Sequence, residues 1–173
     1  MNEDHDKDFH RLLEKMSRMQ QLMHERLSEK RQALITRFPE LCRDLHMFGD
    51  ISIDLGWYPL VESLSQKLQA LSDQAGCQVR AHQIKQKFGR LCYYYAFDSN
   101  ASVTSEFAES VYDLVRAVET ESTHVCEICG TDTAKTDRVN RFGWVKTLCD
   151  PCMGELREEK ERDEALLDEY LDL

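Results

Sequence analysis

Cys126 and Cys129 are separated by two residues, Cys149 and Cys152 are too, and nineteen residues lie between the pairs. Each C-x-x-C makes a tight turn that brings two thiolates close enough to share one metal ion. The intervening segment is long enough for a hairpin that returns the second pair opposite the first. Four thiolates at ~2.3 Å in a tetrahedron are what a structural Zn²⁺ takes. Gly130 follows the first pair, where a backbone free to adopt positive φ completes the turn. A catalytic zinc keeps one position open for water, and four cysteines leave none. The expected role is therefore a staple, contributing on the order of 10 kcal/mol of folding free energy to a small subdomain.

The second chemistry-bearing stretch is "CQVRAHQIKQKFGRLCYYYAF", residues 77–97. Arg80, Lys85, Lys87 and Arg90 give residues 79–97 a charge of +4 beside Tyr93, Tyr94 and Tyr95. Basic groups with interleaved aromatics suit phosphate contact and base stacking on a single strand. They equally suit an edge hairpin whose lysines block aggregation and whose aromatics fill the core, and this second reading is preferred. Alternation places Tyr93 and Tyr95 on one face, so the three rings do not form one exposed stack.

Nothing else has the spacing of a reactive constellation. The six histidines show no ligand or triad spacing, and there is no P-loop, dinucleotide fingerprint or G-x-S-x-G. Cys42, Cys77 and Cys92 read as ordinary buried or half-buried thiols. The chain is read as non-enzymatic.

The elements that position these residues follow from periodicity. Residues 5–38 read as one long helix. Phe9, Leu12, Met16, Met19 and Met23 alternate in steps of three and four, the spacing of a coiled-coil seam. Leu27 then comes a step of four later where three was due, and such a stutter locally unwinds a supercoil. Leu34 and Phe38 continue the shifted stripe, and Pro39 ends the helix. The stripe is expected to pack on the chain's own body. The sharper alternative is a seam for a partner or for a homodimer.

A second helix starts at "YPLVESL", with Pro59 in its first turn, Val61, Leu64, Leu68 and Leu71 as its buried stripe and Gly76 as its cap. Residues 79–97 form a hairpin turning near Gly89. A third helix spans about 103–121, with Phe107, Val111, Leu114 and Val118 facing the core. Trp57, Phe88 and Trp144 are expected to pack beneath the metal site. The end of the chain reads as an acidic helix.

Composition bounds the function classes. Hydrophobic residues make up 42% of the 173, enough to build a core. Net charge is −10, of which −6 falls in residues 151–173 and −4 in 101–150. Such a chain repels phosphate backbones at long range, which disfavours generic nucleic-acid binding. The N-terminal "MNEDHDKDFH" lacks the charged-then-apolar pattern of a secretory signal, and no apolar run reaches membrane-spanning length. Seven cysteines in this spacing fit metal better than disulfides, so a reducing, cytoplasmic setting is expected.

Three blocks occur together and in order: "GWYPLVESL" at 56–64, "QIKQKFGRLCYYY" at 83–95, and "CEICG" at 126–130 with "GWVKTLC" at 143–149. In this the chain resembles a family of small uncharacterised bacterial and bacteriophage proteins with a Gly-Trp-x-Pro-Leu helix start, a Lys-x-Lys-Phe-Gly hairpin and a four-cysteine ribbon. The resemblance covers about residues 55–153. The chain departs from that pattern at Cys92 and Tyr93, where an Arg-Phe-type continuation is usual, and in adding the N-terminal helix. The resemblance implies a fold unit and a bacterial or mobile-element origin. A more local one, over residues 126–157, is to the DksA/TraR-type regulators of RNA polymerase.

The expected fold is α+β: a long N-terminal helix, a helix–β-hairpin–helix core, and a C-terminal four-cysteine zinc ribbon with an acidic helix. The expected divisions are 1–50, 51–122 and 123–173. The expected function is a zinc-binding interaction or regulatory protein acting through protein–protein contacts. The alternatives are a nucleic-acid-binding module using the 80–95 hairpin and an RNA-polymerase-binding regulator.

Overall fold

A computed structural model describes residues 3–98, 102–138 and 145–171. It mixes helix and strand as the α+β expectation requires. Helix α1 spans Glu3–Arg37, α2 Leu45–Phe48, α3 Tyr58–Ala75, α4 Ser105–Glu121 and α5 Asp150–Leu171. The strands are β1 Ile51–Ser52, β2 Val79–Lys87, β3 Arg90–Phe97, β4 Lys135–Arg138 and β5 Val145–Leu148. They form a three-stranded sheet in the order β1-β2-β3 and a separate two-stranded β4-β5 ribbon.

Local chemistry sets most of the boundaries. Pro59 sits in the first turn of α3, where its missing N–H costs no helical bond. Gly76 closes α3 in the left-handed conformation at φ +63° and donates its N–H to the Ser72 carbonyl. Thr104 caps α4 by accepting the Phe107 N–H at 3.2 Å. The β2–β3 hairpin turns through Phe88 and Gly89, both at positive φ.

The core lies between the inner face of the sheet and α3 and α4. Val61, Leu64 and Leu68 of α3 meet Val79, Ile84, Leu91 and Tyr93 of the sheet and Val111 and Val118 of α4. Leu34, Phe38, Leu41, Cys42 and Leu45 are buried in the same cluster, so the end of α1 and the turn after it are part of this core. Toward the N-terminus α1 behaves differently. Leu13, Met19, Leu22 and Met23 are about half exposed, Met16 is half-buried, and packing against the core begins at Leu27. The expectation that the whole stripe packs on the chain's own body therefore fails for the described part ahead of Leu27. The side chains of Phe9 and Leu12 lie outside the described residues.

Phe88 is a second correction. It was expected beneath the metal site, yet it is 74% exposed at the tip of the hairpin. A two-residue turn consumed it, and turn side chains point away from both strands. Trp57 is fully buried as expected; Trp144 lies outside the described residues.

Candidate metal centre

The four cysteines converge. One sulfur from each of Cys126, Cys129, Cys149 and Cys152 lies within 4.8 Å of all the others. The Cys129 and Cys149 sulfurs are 3.5 Å apart. A tetrahedron with ~2.3 Å metal–sulfur bonds needs sulfurs roughly 3.8 Å apart, so the donor set fits one tetrahedral ion. Cys126, Cys149 and Cys152 are buried and Cys129 is exposed.

The two pairs are built differently. The first is a knuckle: Gly130, at φ +80°, returns its N–H to the Cys126 carbonyl at 2.9 Å, and Cys126 donates to the Thr131 carbonyl at 2.7 Å. The second straddles the end of β5 and the start of α5, so Cys152 sits in the first helical turn, where the helix dipole favours negative charge. The ribbon between them pairs Lys135 with Leu148 and Arg138 with Val145, which returns the chain to the first knuckle.

The sulfurs sit in unequal environments. The hydroxyl and backbone N–H of Thr131 draw the Cys129 thiol down to about 6. Burial, followed by the three neighbouring sulfurs, pushes Cys152 well up. The Cys152 N–H lowers Cys149, but burial and the adjacent sulfurs outweigh it and leave that thiol raised. Crowded thiols resist ionising together, and a divalent cation among them reverses that preference. The cluster therefore suits a metal ion better than it suits four free thiols.

The knuckle is locked to the core through the "GWYPL" block. Gly56 donates its N–H to the Glu127 carbonyl at 2.7 Å. A Cβ there would strike the Cys126 and Glu127 carbonyl oxygens and approach the Gly130 nitrogen to 2.6 Å, so only glycine allows this contact. Trp57 Nε1 donates to the Val125 carbonyl at 2.8 Å, burying the ring directly under the first cysteine. Gly89 faces the ribbon in the same way: a Cβ on it would lie 2.6 Å from Thr136 Cγ2. The three sequence blocks thus meet at one junction.

Glu127, between the two cysteines of the first pair, had no assigned role in the sequence. It is buried, accepts the Thr147 N–H at 2.7 Å and faces Lys146 Nζ at 3.4 Å, while Lys146 also pairs with Asp54. Burial raises its pKa; the Thr147 N–H and Lys146 oppose that. No local signal marked it: Lys146, its partner, lies nineteen residues away and has Asp150 nearer in sequence.

The basic hairpin is divided by the fold. Arg80 is a correction: it is 4% exposed and cannot meet an external phosphate. Its guanidinium pairs with Glu40 at 2.8 Å and Asp98 at 3.1 Å. The turn after α1 covers it: the guanidinium also donates to the Glu40 carbonyl, and the neighbouring Ala81 N–H bonds the Leu41 carbonyl at 2.7 Å. Lys85 and Lys87 lie on the outer face, and Arg90 pairs with Glu119 at 2.8 Å. A cleft of about 580 Å³ lies between α1, β1 and the knuckle. Two ion pairs line it, Arg31 with Asp50 at 2.7 Å and Lys146 with Asp54.

No helix among the described residues is long and apolar enough to cross a membrane. Comparison of the chain with protein-family models, with curated proteins and with solved structures returned no match.

Proposed function

We propose that this chain is a non-enzymatic, zinc-stapled interaction protein of bacterial or bacteriophage origin that regulates a protein partner through its N-terminal helix. Zn²⁺ is the ion that a four-thiolate tetrahedral set takes, and with all four positions filled by sulfur it leaves none for water. Its part is to hold the C-terminal third on the core.

The observation that carries the reading is the split along α1. From Leu27 onward its apolar residues enter the core; before that, Leu13, Met19, Leu22 and Met23 remain exposed. A stripe with unbranched methionines in it adapts to a facing surface. Met19, Leu22 and Met23 have the i, i+3, i+4 spacing of anchors on a helix laid into an apolar groove. The polymerase-regulator reading has less support, because α1 is followed by the four-residue α2 rather than by a second long helix.

The test is affinity capture of the zinc-loaded protein from nuclease-treated bacterial lysate, run beside Met19→Gln/Leu22→Gln/Met23→Gln. One specific protein held by the parent and lost by the triple variant is the expected result. Equal capture by both would overturn the assignment of the arm. A second copy of this chain as the only partner would identify the stripe as a dimer seam.

A further inference from the structure

The outer face of the β2–β3 hairpin is not used by the core or by the metal centre. Register places Gln83 opposite Tyr94, Lys85 opposite Cys92 and Lys87 opposite Arg90 on that face, while Ile84, Leu91 and Tyr93 point inward and are buried. Tyr94 is 43% exposed, with Lys85 Nζ 5.2 Å from its ring centre. Lys87 Nζ lies 5.8 Å from the Phe88 ring. From Gln83 to Phe88 the row of alternating rings and cations runs ~17 Å at about 3.3 Å per residue.

Phe88 is the residue the fold does not explain. It stands at φ +54° and Gly89 at φ +73°, the backbone of a turn that favours Asn-Gly. An aromatic side chain is strained in that position, and this one gains no burial in return. Strain that persists without a structural return points to a use outside the fold. Edge protection does not account for the cations either. Two outward N–H groups of β3 nearest the turn are already taken, Leu91 by Ser122 Oγ at 3.0 Å and Tyr93 by Glu119 Oε1 at 2.9 Å.

We propose that this face binds single-stranded nucleic acid, with Phe88 and Tyr94 stacking on bases and Lys85 and Lys87 meeting phosphates. With Arg80 buried, Lys85, Lys87 and the Glu119-paired Arg90 are the charges of this face, in a chain of −10, so the face is locally opposite in sign to the protein as a whole. An acidic peptide would engage the lysines but give the two rings no partner. A duplex would hide its base faces. Unpaired bases flanked by phosphates engage both kinds of group. Arg90, shared with Glu119, contributes less. The site goes beyond the arm-based reading and does not depend on it.

The experiment is fluorescence anisotropy with a labelled mixed-sequence oligonucleotide of about 12 bases, as DNA and as RNA, beside its duplex and a polyglutamate peptide. A single strand preferred over duplex and peptide is expected, with a log–log salt slope of about −1.5, from two or three phosphate contacts at roughly −0.7 each. Lys85→Glu/Lys87→Glu abolishes binding. Phe88→Gly weakens it about tenfold while melting no lower than the parent, because glycine relieves the turn. Failure to bind at low salt, binding unchanged in Phe88→Gly, or a peptide that binds as well as the oligonucleotide would each overturn the proposal, the last in favour of an acidic protein partner.

Discussion

The cysteine knuckle and the N-terminal half of α1 obey opposite rules. At the knuckle, backbone groups, a buried carboxylate and even glycine hydrogens are matched to neighbours: Gly56 to Glu127, Trp57 to Val125, Glu127 to Thr147. Along α1 before Leu27, Leu13, Met19, Leu22 and Met23 are about half exposed and take no part in the core cluster. The knuckle's residues are dictated by the fold they belong to. The arm's exposed apolar residues are not part of the core, and in the proposed reading their chemistry is set by a partner. The same substitution type should therefore have opposite consequences in the two regions.

Loss of the metal should have the largest effect. Cys126→Ser, or exhaustive chelation, is expected to cost on the order of 10 kcal/mol of ribbon stability. Hydrogen exchange should then open across residues 125–152, while α3 and the inner sheet stay protected. Metal analysis should give one zinc per chain before treatment and none after. Full protection of the ribbon in the metal-free protein would mean that hydrogen bonds to Gly56 and Thr147 hold it unaided.

Gly56→Ala tests the docking without touching a ligand. The new methyl has backbone on three sides, with no flexible side chain to move aside, and overpacking of this kind costs about 3 kcal/mol. Gly76→Ala is the control: its Cβ would meet nothing, and only the left-handed backbone at φ +63° resists it, at about 1 kcal/mol. Urea midpoints of the two variants should rank in that order. Equal values would mean that the knuckle can shift away from α3 at little cost.

What could be read in advance divides along the same line. The cysteines, the Gly76 cap and the α3 stripe were legible because each is a local pattern with a fixed period or spacing. Arg80 was misassigned because what buries it, the Glu40 carboxylate and carbonyl, lies forty residues earlier and leaves no local mark beside the hairpin. Phe88 was misassigned because aromatic character says "core" unless the turn register is known. β1 is two residues long and pairs parallel to β2 with Ile51 opposite Ile84, too short for any periodic trace. The role of Gly56 was invisible because its partner lies some seventy residues away.

Arg80→Met gives a smaller effect with a pH signature. Arg80 is buried between two carboxylates, but Glu40 is more than half exposed, so the loss should be about 2 kcal/mol, below that of a fully buried pair. Hydrogen bonding to Arg80 and its charge hold Glu40 below its ordinary value near 4.5. A depressed carboxylate stabilises the fold above its unfolded value, and that contribution is lost as pH falls through the folded value. Below about pH 4.5 the parent should therefore lose this contribution, and the variant, lacking it, should lose less. Taking the difference between the two proteins cancels the acid sensitivity of the metal site. Parallel pH profiles would show that Glu40 is free of Arg80 in solution.

The smallest stability effect should come from the region where function is proposed to lie. Met19→Gln/Leu22→Gln/Met23→Gln exchanges three exposed apolar residues on one helix for good helix formers, and surface changes of this kind stay within about 0.5 kcal/mol each. The chelation, Gly56 and Arg80 experiments all lower the melting temperature; this one should leave it nearly unchanged or raise solubility. If the triple variant instead melts several degrees lower at every protein concentration, the stripe is packed on the body in solution and the contrast with the knuckle collapses. If the drop appears only at high concentration, the parent had been stabilised by self-association, since mass action raises the apparent stability of an assembled state. An unchanged melting temperature with a lost partner is the outcome that separates a surface kept for binding from one kept for folding.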